Sequence, residues 1–119
     1  MISITIQEAI PSLNVTLKEH WSRKSKRKKT YEKQIILALL EKYSYKERQE
    51  AQAREPRKVS ILSQRARLLD HDNCVGGGKS LIDALRSCKL IVDDNKQWLL
   101  DLSYTQSTGK PHNTTITIE

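Results

Sequence analysis

The stretch Lys58–Asp94, KVSILSQRARLLDHDNCVGGGKSLIDALRSCKLIVDD, decides how the chain is organised. Val59, Ile61, Leu62, Leu68 and Leu69 stand among polar residues and predict a strand over residues 58–69, with Asp70 and Asp72 at its end. Gly76, Gly77 and Gly78 read as a flexible turn, since glycine lacks the Cβ that restricts other residues. Leu81, Ala84, Leu85 and Cys88 then recur at helical spacing, and Lys79, Asp83 and Arg86 share the opposite face of that short helix. Asp93 and Asp94 occupy the turn that follows.

Outward from this stretch the patterns are equally distinct. Ile2, Ile4 and Ile6 alternate with Ser3, Thr5 and Gln7 as in a half-buried strand, and Pro11 ends it. Residues 11–22 read as a loop. Residues 23–53 lack Gly and Pro and carry two helical stripes, Tyr31-Ile35-Leu39 and Ile36-Leu40-Tyr43, which predicts one long helix whose polar end from Tyr45 protrudes or frays before Pro56. Trp98, Leu100, Leu102 and Tyr104 alternate along a third strand. A hairpin over Ser107–Asn113, turning on Gly109 and Pro111, leads to a last strand through Thr114, Ile116 and Ile118. The expected architecture is α+β in the order β-α-β-α-β-β, a small mixed sheet with two helices on one face, forming a single domain over residues 1–119.

Composition narrows the function. At 119 residues and 37% hydrophobic, the chain can build one core but not two. No apolar run approaches the roughly 20 residues of a membrane-spanning helix, so no membrane partner is expected. Met1–Gln7 lacks the basic start and apolar stretch of a signal peptide, which predicts a cytoplasmic location. Cys74 and Cys88 have no zinc spacing and form no disulfide framework; reduced, partly buried thiols are expected.

Charge is the strongest signal. Lys and Arg number 21 against 14 Asp and Glu, a net charge of +7 that favours a polyanionic partner. The excess lies before Arg65, and its densest part is Arg23, Lys24, Lys26, Arg27, Lys28 and Lys29, candidates for phosphate contact. Six like charges at a helix start oppose the helix dipole, a cost that suggests a compensating ligand. Trp21 could stack on a base, although an aromatic capping a small core is the commoner use. All six Asp lie within residues 70–101.

On an extended strand Asp70 and Asp72 would project to one side and turn His71 away. Paired carboxylates suit magnesium, a hard cation that takes oxygen ligands. Solvated loop acids are the plain alternative for that pair and for Asp93-Asp94. Lys79 stands at a helix start where an anion is favoured, or else pairs with Asp83 four residues on. Gly78-Lys79-Ser80 is not a phosphate-binding P-loop, because Asn73 stands where that pattern requires glycine. Acids clustered in a basic chain fit a metal-dependent nuclease: the cations hold the phosphate backbone and the carboxylates hold the ion that attacks it. A noncatalytic DNA- or RNA-binding module with a structural Asp cluster is the alternative.

The succession Leu69-Asp70-His71-Asp72-Asn73, Lys79, Ile82-Asp83-Ala84-Leu85 and Val92-Asp93-Asp94 resembles the RusA family of Holliday junction resolvases, as do Pro11-Ser12-Leu13-Asn14, His20-Trp21 and the terminal strand pair. The resemblance implies a magnesium-dependent, homodimeric endonuclease that nicks four-way DNA junctions. By it, Asp70, Asp72 and Asp94 would hold the metal, with Asp93 a weaker candidate, and Lys79 would act at the scissile phosphate.

Overall fold

The structure, a computed structural model, describes all residues 1–119. Its frame is a mixed four-stranded sheet of β1 (Ile2–Ile6), β2 (Arg57–Arg65), β3 (Leu99–Thr108) and β4 (Asn113–Ile118), ordered β1-β4-β2-β3. The α+β class and the mixed sheet agree with the sequence reading. Period-two alternation turns Ile4 and Ile6, Val59 and Ile61, and Ile116 and Ile118 to one face, where all are buried. The other face is open and carries Thr5, Ser60, Leu62, Ser103 and Thr105. Two hydroxyl pairs bridge strands there, Thr5 with Thr115 at 3.1 Å and Ser103 with Ser60 at 3.2 Å.

The expected hairpin does not form. β4 lies antiparallel between β1 and β2, while β3 runs parallel to β2 on its other side. Residues 109–112 therefore cross the end of β2 and bond to it: Gly109 N–H donates to the Arg65 carbonyl (3.0 Å) and Gln64 Nε2 to the Pro111 carbonyl (2.9 Å). Gly109 and Pro111 mark a turn but carry no information about its destination. Burial does: Thr114, Ile116 and Ile118 are all inside, as a central strand requires, whereas β3 buries Leu99 alone.

Five helical segments replace the expected two: α1 (Leu13–Lys18), α2 (Trp21–Lys42), α3 (Tyr45–Ala51), α4 (His71–Gly77) and α5 (Lys79–Ser87). The region read as a loop contains α1, capped by Ser12, whose Oγ accepts from Val15 N–H at 3.2 Å. The single long helix is two. Ser44 opens α3 with a capping box, its Oγ accepting from Glu47 N–H while the Glu47 carboxylate accepts from Ser44 N–H. Such a cap needs extended backbone at Ser44, which stops α2 without Gly or Pro. The strand read over residues 58–69 ends at Arg65, and the glycines belong to α4 and its junction with α5.

The core is one cluster of 17 buried residues that joins the sheet's inner face to Tyr31 and Ile35 of α2 and to Leu81, Ile82, Ala84 and Leu85 of α5. Buried and half-buried polar groups fix what surrounds it. Arg57 donates to the carbonyls of Ala51 and Leu90, tying the end of α3 to the turn after α5. Ser63 Oγ accepts from Ile10 N–H, Thr114 Oγ1 donates to the Glu8 carbonyl, and Arg65 Nη1 donates to the Ile10 carbonyl. These three side chains set the path by which the chain reaches Pro11 and α1. No helix is long and apolar enough to cross a membrane. Both cysteines are free thiols; burial raises the pKa of each, that of Cys88 to about 11.

Candidate functional site

A groove of about 470 Å³ opens between α1, the first half of α2 and the α4–α5 junction. Lys24, Ser25 and Lys28 line it from α2, and Lys79, Ser80 and Asp83 from α5. Leu13, Thr16 and Leu17 of α1 close the remaining side. The fold thus brings part of the basic run and Lys79 to one cavity, although some fifty residues separate them in the chain. Glycine makes the approach possible. At Gly77 a Cβ would stand 1.7 Å from the Pro11 carbonyl oxygen, so α4 can pack against residues 11–13 only without a side chain there.

Lys79 is the hub of the ion pairs beside the groove. Its Nζ lies 2.6 Å from Asp94 Oδ2 and 3.2 Å from Asp83 Oδ1, so the pairing expected with Asp83 is present and a second carboxylate joins it. The hydrogen bond from Lys79 holds Asp94 below the usual carboxylate range and raises Lys79 in turn. Asp93 builds the turn: its Oδ1 accepts from Asp94 N–H (2.8 Å) and pairs with Arg86 (3.3 Å).

Asp70 and Asp72 are not on a strand. Asp70 is the N-cap of α4 without a side-chain cap bond, and Asp72 lies in the helix's first turn. Asp70 keeps an extended backbone ahead of the helix and Asp72 lies inside it, so the strand alternation expected to set the pair on one side does not apply. The local reason is that β2 ends five residues before Asp70, leaving the carboxylates to a helix start, where acids are favoured by the dipole. Both are exposed and without side-chain partners, as is His71, now the first residue of α4. Their oxygen donors suit magnesium in kind. No group of three or more His, Cys, Asp or Glu side chains is gathered to hold a metal ion.

The basic run divides by surroundings. Arg27 is locked in a bidentate pair with Glu19, whose carboxyl is lowered by that hydrogen bond, and Lys28 lies 3.8 Å from Glu32. Arg23, Lys24, Lys26 and Lys29 are exposed and have no acidic partner. Glu19 therefore supplies part of the compensation expected from a ligand. His20 caps α2 through Nδ1, which accepts from Ser22 N–H. Trp21 caps no core: it is 73% exposed, with its ring 5.4 Å from that of His20.

Ser25, Ser80 and α1 do not stand out in the sequence as parts of a site. The Leu13 and Leu17 pair at helical spacing behind a capping serine is the signal that points to α1. No protein-family model and no curated protein matches this chain.

Proposed function

We propose that the chain is a magnesium-dependent endodeoxyribonuclease that acts in the cytoplasm, as a homodimer with a RusA-like fold, on branched DNA such as a four-way junction. The observation that carries this reading is the groove in which Lys24 and Lys28 face Lys79, Ser80 and Asp83, with Asp94 bonded to Lys79. A binding module needs the lysines; acids set among them would repel phosphate unless a cation intervenes.

In this reading Lys24 and Lys28 hold backbone phosphates, aided by exposed Arg23, Lys26 and Lys29. Trp21, exposed at the start of α2, offers a face for stacking an unpaired base. Lys79, at the start of α5, offsets charge developing on a phosphate oxygen. Asp70, Asp72 and Asp94 would have to draw together to hold magnesium, since no three acids are gathered in this structure; the ion when bound would lower the pKa of a water and polarise the phosphate. Lys79 bonds only Oδ2 of Asp94, which leaves the other carboxylate oxygen free for a cation.

The test is nicking of labelled four-way junction and linear duplex, with magnesium or with chelator. Nicking of the junction only with magnesium is expected. Asp72→Asn removes a ligand charge and also a repulsion, so cleavage should fall while junction affinity holds or rises. Binding without nicking under all conditions would instead identify a noncatalytic module, and parental nicking by folded Asp72→Asn would overturn the assignment of that carboxylate.

A further inference from the structure

The outward face of α2 is apolar where a lone chain has no use for it. Ile36, Leu37 and Leu40 are 49%, 57% and 53% exposed, while the opposite face buries Tyr31 and Ile35. Alternating spacings of three and four place Lys26, Lys29, Lys33, Ile36 and Leu40 on one stripe, the pattern of a helix–helix seam. Its first half is lysine and its second half apolar.

We propose that two copies of the chain associate through this face, their α2 helices antiparallel about a two-fold axis near residues 37 and 38. The interface rests on the two-copy assembly proposed above and gives it a surface. Parallel pairing would set each stripe lysine against its own copy, a repulsion repeated along the seam. Antiparallel pairing sends the lysine halves to opposite ends and lets the apolar halves meet, Ile36 of each copy on Leu40 of the other. The same axis brings Lys33 beside Glu41 of the second copy, twice. Neither residue has an ion partner within its own chain. Opposite charges placed symmetrically about an apolar centre make a self-complementary patch, which a two-fold contact requires and an unrelated partner does not. At 1.5 Å per residue the two Lys26 positions lie about 35 Å apart along the pair, with one groove at each end.

Light scattering of the full chain across a concentration series, without DNA or magnesium, tests this apart from any nuclease activity. Twice the 13.7 kDa chain mass is expected for the parent, and monomer for Ile36→Lys/Leu40→Lys, with helix content unchanged by circular dichroism because both positions are exposed. Lys33→Glu and Glu41→Lys should each weaken association about tenfold, and the two together should restore it. A parent that stays monomeric would overturn the assembly and the surface together. A dimer that survives Ile36→Lys/Leu40→Lys would overturn the surface and leave the assembly. Failure of the combined reversal to recover association would overturn the antiparallel arrangement.

Discussion

At the scale of single residues, Lys79 and Gly77 carry the most consequence. Lys79→Met removes the donor that holds Asp94 low, so the Asp94 carboxyl should titrate nearer the ordinary value of 3.8, measurable by carboxyl NMR. If Lys79 serves the phosphate, the same variant should slow nicking far more than it weakens junction binding. Wild-type nicking in Lys79→Met would leave the residue as a surface ion-pair partner. For Gly77→Ala two effects oppose each other. Alanine gains about 1 kcal/mol of helix propensity, but a methyl 1.7 Å from the Pro11 oxygen forces α4 away from residues 11–13. Overpacking costs of about 3 kcal/mol decide the sign, so denaturant unfolding should show a destabilised protein. The glycines were legible as special but not as helical: composition says that a Cβ is unwelcome, and only tertiary packing says which atom forbids it.

At the scale of elements, the end of α1 is joined to the second turn of α2 by the Glu19–Arg27 pair. Because Arg27 depresses the Glu19 pKa in the folded state, its contribution is full above the ordinary carboxyl value of 4.5 and is lost as pH falls through the depressed one. Glu19→Gln should therefore be less stable than the parent at neutral pH, with the gap closing in acid, as urea titrations at several pH values would reveal. The same variant frees the Arg27 guanidinium, and DNA affinity should rise. β1, α5 and the buried half of α2 were readable because each shows a clean period: Ile2-Ile4-Ile6, Leu81-Ala84-Leu85-Cys88 and Tyr31-Ile35-Leu39. The break at Ser44 was not, since a capping box consists of polar residues that a polar helix end also contains. For Asp70 and Asp72 the residue types were legible and the backbone was not. One helix start in place of a strand end is enough to remove the alternation that would have paired the two carboxylates.

Across the whole molecule, the separation of charge along the chain becomes a separation in space only through the groove. Replacing Arg23, Lys24, Lys26 and Lys29 by Gln should weaken binding to all DNA sequences alike and flatten the log-log salt dependence by up to about 0.9 for each phosphate that is no longer neutralised. An unchanged slope in a filter-binding series would make these four a solvated face. The N-terminal bias of positive charge was visible in composition; the convergence of Lys24 and Lys28 on Lys79 was not, because it depends on α1 and on the packing of α4.

The place of β4 bears on how the protein comes into being. Its residues lie between β1 and β2, with Ile2 opposite Ile118 and Val59 opposite the same residue. During synthesis the first half of the chain leaves the ribosome with both strands made and the space between them vacant. Isoleucines of β1 and β2 then wait for a segment translated well after both, and the sheet closes in a late step that spans long loops. Until Ile118 has emerged, a nascent chain carries two unpaired strand edges and an open core, the state in which chaperones find their clients.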